Sequence, residues 1–291
     1  MDCRCRTRPG ENVTTVSRVS ANGTVRSAAA EGHLDRRLIF GRTVGVAEPP
    51  PWLRRAYAEF RRNVTDPAYP CFFGTKAENA GHLYYTYCES PTCPTLPDSI
   101  RHFLELKRGS VHFDTNLALF VAPESEPRPH EFYRDRLWEM LRHLHENDRE
   151  PWPVGCMRDP DDPHWEFTFG GEQFFVFTAS PSYTARRSRN LGACQVMMMQ
   201  PRSSFVVVEN EAHGIGARSI VRRRIAAWDD VGVHPDLGTY GHPEFREWKQ
   251  YFLPNDMTPE SGRCPFHHGL SDTSGTDAPP PKPPGRSPVE E

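Results

Sequence analysis

Trp165-Glu166-Phe167-Thr168-Phe169-Gly170-Gly171-Glu172-Gln173-Phe174-Phe175-Val176-Phe177-Thr178 is the stretch on which the fold turns. The runs Trp165 to Phe169 and Phe174 to Thr178 have the aromatic and β-branched content of strands, and Gly170-Gly171-Glu172-Gln173 between them reads as a hairpin turn. Gln195 to Met199 and Phe205 to Val208 make a second strand pair around Pro201-Arg202. Upstream, Leu83 to Cys88 and Phe113 to Val121 are strands, while Pro51 to Val64, Leu96 to Leu106 and Glu131 to Asn147 repeat apolar residues at helical spacing. Ala217 to Trp228 reads as a basic amphipathic helix and Pro243 to Phe252 as a short aromatic one. Strands and helices come in blocks without regular alternation, so the expected class is α+β: one domain with a mainly antiparallel sheet packed by helices.

The totals set the frame for that domain. Of 291 residues 37% are apolar, and the deficit lies at the ends. Residues 1–35 and the proline-rich residues 269–291 read as disordered tails, leaving a domain over 36–268. A net charge of −3, from 35 basic and 38 acidic residues, gives no global field toward nucleic acid or an anionic membrane. No apolar run is long enough to span a bilayer and no signal-peptide core opens the chain, so a cytoplasmic location is expected. Eight irregularly spaced cysteines do not suggest a disulfide scaffold.

Chemistry-bearing residues concentrate in a few places. Cys71 sits on the turn Tyr69-Pro70-Cys71-Phe72-Phe73-Gly74, ahead of the helix-compatible run Thr75 to Ala80. A helix there would put the sulfur at its N-terminus, where backbone N–H groups lower a thiol pKa, as suits a nucleophile or a metal ligand. A buried structural cysteine is the alternative. Trp165-Glu166 offers a carboxylate for a two-pronged contact with a guanidinium and an indole wall beside it, or Glu166 simply pairs with a nearby arginine. Arg186, Arg187, Arg189 and Arg202 are candidates to grip a carboxylate or the propionates of a heme, against the plainer reading of a solvated basic loop. His145, at the end of a helix, and His234 and Cys264, in loops, are further candidate ligands. Cys88, Cys93, Cys264 and His267 form only a loose zinc pattern, and the lone Gly214-Ile215-Gly216 does not make a dinucleotide site.

In order, the chain carries Pro70-Cys71-x-Phe73-Gly74, Leu144-His145-x-x-Asp148, Pro151-Trp152-Pro153, Asp159-Pro-Asp-Asp-Pro163-x-Trp165-Glu166-Phe167, Pro181-x-Tyr183-x-x-Arg186-Arg187-Ser188-Arg189, Gln200-Pro201-Arg202, His234-Pro235-x-Leu237-Gly238-x-Tyr240-Gly241, Glu247-Trp248-Lys249-Gln250-Tyr251-Phe252 and Cys264-Pro265-Phe266. From Trp52 to Phe266 this resembles the YqcI/YcgG, or GntA-like, family. The resemblance implies a heme-dependent N-hydroxylase, a monooxygenase acting on L-arginine or a related guanidino compound in antibiotic or natural-product biosynthesis. It implies heme b, with dioxygen or a peroxide as oxidant and an external electron donor, since the chain shows no reductase module. In that scheme Cys71 holds the iron, with His145, His234 and Cys264 as alternatives. The arginines anchor propionates or the substrate carboxylate, and Glu166 holds the guanidinium beside Trp165. Monomer and homodimer are both open. Rival readings are a heme carrier or sensor without oxygenase activity, a cofactor-free enzyme with Cys71 as nucleophile served by His145 or His234, and a zinc-stabilised interaction protein.

Overall fold

A computed structural model describes residues 28–45, 48–112, 114–205 and 211–266, with side chains from residue 33 and, in the last helix, from residue 216. The chain runs α1 (Ala28–Arg37), β1 (Ile39–Phe40), β2 (Thr43–Val44), α2 (Pro51–Val64), α3 (Phe72–Ala80), β3 (Leu83–Cys88), α4 (Leu96–Arg108), β4 (Asn116–Val121), α5 (His130–Glu146), β5 (Phe167–Phe169), β6 (Glu172–Ala179), β7 (Val196–Pro201) and α6 (Glu211–Trp228). Short 3-10 helices occupy Arg187–Arg189, Arg202–Phe205 and Glu247–Gln250. Among the described residues this is an α+β domain with a five-stranded sheet in the order β3-β4-β7-β6-β5. Only β3 and β4 pair in parallel, joined by α4; the other three pairings are antiparallel. No described helix is long and apolar enough to cross a membrane.

The expected hairpin is β5-β6. Phe169 pairs with Glu172 across Gly170 and Gly171, whose φ values of +61° and +76° are both in the left-handed region that a two-residue turn of this kind requires. Three expectations change. Residues 28–35, read as tail, begin α1, which is anchored by the buried Leu34. The strand expected over Phe205 to Val208 is not formed at Phe205, which ends a 3-10 turn; residues 206–210 lie outside the described set. The helix expected over Pro243 to Phe252 shrinks to Glu247–Gln250, because Trp248 and Tyr251 both turn into the core. Residues 1–27 and 267–291, His267 among them, and the side chains of residues 211–215 also lie outside the described set.

Strand alternation gives the sheet two faces that are covered very differently. On face 1, Leu117, Leu119, Val121, Met197, Met199, Phe174, Val176, Phe167 and Phe169 are buried under α4, α5 and the Trp248–Tyr251 segment. On face 2, Tyr85 and Phe120 are closed over by α2, through edge-on contacts with Tyr57 and Phe60. That cover thins toward β6, where Phe175 and Phe177, beyond the last β5 pairing at Phe174, remain half-buried. Two large aromatic rings left partly open side by side offer a flat apolar surface that a ligand can cover.

Tyr251 sits at the β5 edge. Its hydroxyl accepts from Phe167 N (3.0 Å) and donates to Phe174 O (3.2 Å), and its carbonyl accepts from Thr178 N (3.0 Å). Beyond Phe167, therefore, the edge of β6 is served by Tyr251 rather than by a longer β5, and Glu166 is freed from the ladder.

Candidate functional site

Glu166 precedes β5 with the same parity as Thr168, and Arg202 follows β7 with the parity of Met198 and Gln200, so both belong to face 2. The Glu166 carboxylate, fully buried, is gripped in a two-pronged contact: Arg202 Nε donates to Oε2 at 2.7 Å and Nη2 donates to Oε1. The Arg202 guanidinium stacks 3.6 Å above the Tyr240 ring and 5.2 Å from that of Phe205, which packs edge-on against Phe175. Trp165 takes the opposite parity and enters face 1, against Tyr251 and Phe266. The flat wall at the carboxylate is thus supplied by Tyr240 and not by Trp165.

Glu247, buried at 3% exposure, completes the cluster. In its 3-10 turn Glu247 and Gln250 share one side, with Gln250 Nε2 donating to Glu247 Oε1, while Trp248 and Tyr251 take the other. Burial and the neighbouring Glu166 charge push the Glu247 carboxyl up to about 8, opposed by Arg202 and the Gln250 hydrogen bond. Burial of the Arg202 guanidinium is outweighed by Glu166, and its pKa is raised. Two acids and one guanidinium therefore form a largely buried cluster in which each acts on the others. A surface cleft of about 340 Å³ is lined by Arg218, Ser219, Arg222 and Thr239.

Farther along the same face lies Cys71. It is the N-cap of α3, accepting from Gly74 N at 3.4 Å, as the sequence placed it, and it packs half-buried against the face-2 cluster with Phe177 and Trp228. The expected lowering of its pKa is reversed: burial raises the thiol, and the Gly74 and Phe73 N–H groups only partly offset this. Tyr69 is near enough to Cys71 and Arg189 to feel both charges, and its hydroxyl donates to Ser188 O at 3.2 Å.

The four arginines separate into distinct tasks. Arg186, 1% exposed, staples loops through the carbonyls of Pro254 (3.2 Å), Gly232 (3.1 Å) and Asp256 (2.6 Å), with Asp229 at 3.9 Å. Arg187 is exposed and reaches Trp228 O and Asp230. Arg202 belongs to the acid pair. Arg189 is buried, lies 4.2 Å over the Phe177 ring, and donates one long bond of 3.4 Å to Thr178 O. No described carboxylate is within ion-pair distance of it. Burial draws its pKa down to about 10, so it stays charged at neutral pH.

The alternative ligands fall elsewhere. His145 is on the face-1 side, edge-on to Phe266 and Trp152. His234 has both nitrogens engaged, Nε2 with Thr258 O and Nδ1 with Asp236 N, each at 3.1 Å. Cys264 is fully buried in the face-1 core. No three described His, Cys, Asp or Glu residues converge as a metal cage.

These features can be set beside known proteins. The chain is 33% identical to Bacillus subtilis YcgG over 76% of its length and 90% of that protein. It is 29% identical to Bacillus subtilis YqcI over 75% of its length and 88% of that protein; neither name carries an activity. It is 31% identical over 74% of its length, and 84% of that protein, to Streptomyces lavendulae DcsA, whose name provisionally gives it as an N(omega)-hydroxy-L-arginine synthase. No solved structure matches. The model of the YqcI/YcgG family matches residues 60–267, a span that includes Cys71, Glu166, Arg189, Arg202 and Glu247, and the chain belongs to that family.

Proposed function

We propose that this protein is a heme-dependent N-hydroxylase of a guanidino compound, L-arginine by preference, with Cys71 as the iron ligand. One observation carries the reading. The half-open aromatic strip of face 2, Phe175 and Phe177, has a guanidinium-binding carboxylate cluster at one end and, at the other, Cys71 with Arg189, a buried cation without a described carboxylate in reach. The name of DcsA supports the reaction class.

The residues at the strip fit a heme. Flat apolar rings suit a porphyrin, the Cys71 thiol beside them offers one axial donor, and Arg189 offers a cation for a propionate. Ligation would deprotonate Cys71 despite its raised pKa, because a metal ion stabilises the thiolate far more than burial opposes it. When bound, the heme supplies the activation of oxygen.

The chain's own part is positioning. A carboxylate has about four lone-pair sites, so Glu166 can accept from a ligand guanidinium while Arg202 holds it from one side. Two acids and the Tyr240 ring fix the orientation of a planar cation and shield it from water, which favours reaction at one terminal nitrogen. Electrons come from a separate donor, or a peroxide brings oxygen and electrons together.

The cysteine-nucleophile reading finds no base in the described geometry, since His145 is across the sheet and both nitrogens of His234 are engaged. The test is arginine-dependent formation of Nω-hydroxyarginine by heme-loaded protein with a chemical reductant or peroxide. Glu166→Gln is expected to retain heme but weaken arginine binding by roughly ten-fold or more, the scale of a charged hydrogen bond. Unchanged affinity in that variant removes Glu166 from the site.

A further inference from the structure

We propose that Glu247 is the second carboxylate of the ligand site, and that a cationic guanidino ligand is taken up jointly by Glu166 and Glu247 with release of the Glu247 proton to water. The inference rests on the guanidine reading above and adds to it the residue that discriminates a cation from a neutral isostere.

Glu247 has no structural task that accounts for its burial. A carboxyl placed at 3% exposure ordinarily sits in an ion pair or a set of several donors. Here no described cation lies within ion-pair distance of it, and its described side-chain donor is the amide of Gln250. The cation nearest in electrostatic terms, Arg202, is already committed to Glu166 by two hydrogen bonds. The groups that act on Glu247 are Glu166 from the start of β5, Arg202 from the end of β7, and Gln250 from its own turn. Tyr240 and Tyr251 sense the same two acids from the loop and the sheet edge, and both are held in their neutral phenol form. Arg202 is thus the one described cation among these groups, and two adjacent acids sharing it would not both ionise readily.

Arrival of a second guanidinium changes that balance. The neutral Glu247 carboxyl loses its proton to solvent, the new carboxylate pairs with the ligand cation, and the four charges sum to zero. No bond other than the O–H is broken and no oxidant is involved. A neutral ureido analogue of the same shape gives no such compensation, so it binds weakly and without proton release.

The test is calorimetric titration of the full-length, heme-loaded protein with L-arginine at pH 7, in two buffers of different ionisation enthalpy. The wild type should release close to one proton on binding, and L-citrulline should release none. Glu247→Gln should abolish proton release and weaken arginine at least about ten-fold, while Glu247→Asp restores part of the release. Arginine binding without proton release in the wild type overturns the inference and leaves the guanidine reading standing, as does undiminished release in Glu247→Gln. Failure of arginine and simpler guanidines to bind the wild type overturns both.

Discussion

The two faces of the sheet are made from the same strands and treated in opposite ways. Face 1 buries Phe167, Phe169, Phe174, Val176, Met197 and Met199 completely, and there Trp138 stacks on Tyr251 and meets Trp248 edge-on. Face 2 is closed over β3 and β4 by α2 but left half-open over Phe175 and Phe177, where Arg189, Cys71, Glu166, Arg202 and Glu247 gather. One face maximises apolar contact. The other keeps partly covered rings, an under-paired cation and a surplus carboxylate, none of which a stable core would select for.

The sharpest way to break this comparison is to remove one phenylalanine from each face. Phe167→Ala should cost about 3–5 kcal/mol, the usual loss for a buried aromatic, whereas Phe177→Ala should cost less than about half as much and instead impair heme uptake. Urea unfolding midpoints and heme titration of both variants check this. Equal destabilisation would mean that face 2 is packed as tightly as face 1.

Arg189→Leu sharpens the same contrast on a smaller scale. Burying a cation with a single 3.4 Å hydrogen bond is unfavourable, so an apolar replacement should leave the heme-free protein as stable or more so, while heme dissociates faster. A marked fall in heme-free stability would instead make Arg189 a structural residue like Arg186.

The smallest effect is in the pH dependence of stability. Glu247 has a folded pKa of about 8, well above the ordinary glutamate value, so its contribution is complete below about pH 4 and is lost as pH rises through 8. His130, His145 and His234 are lowered by burial; their contribution is present above about pH 6.5 and is lost as pH falls through their folded values. Melting temperatures should therefore decline at both ends, and Glu247→Gln should flatten only the alkaline limb. An unchanged alkaline limb would mean that Glu247 is already ionised in the folded protein.

Much of the fold was legible because local signals agreed with the tertiary outcome. Pro51 at the first turn and apolar residues at Leu53, Tyr57, Phe60 and Val64 mark out α2, which ends before Pro67 as expected, and the Gly170-Gly171 pair fixes the β5-β6 hairpin. The failures lie where long-range packing overrides local pattern. Trp248 and Tyr251 look helical, yet the core draws both in and leaves a single 3-10 turn. The site was half legible for a related reason. A carboxylate followed by arginines suggests pairing, and Glu166 does pair with Arg202. Sequence could not show that Arg186 staples carbonyls while Arg189 has none but Thr178, because both stand in the same basic run. Nor could it show that Glu247, next to Trp248 and Lys249 in a short aromatic segment, is buried.

Heme ligation by Cys71 is tested most directly by the absorption spectrum of heme-loaded protein, reduced under carbon monoxide, for the wild type and for Cys71→Ala, each with and without L-arginine. Thiolate ligation by Cys71 beside a guanidine site should give a strongly red-shifted Soret band in the wild type, its disappearance in Cys71→Ala, and an arginine-induced change of iron spin state in the ferric wild type. A carbonyl spectrum of the histidine-ligated kind that is the same in both proteins, or no Soret band after loading, would contradict it.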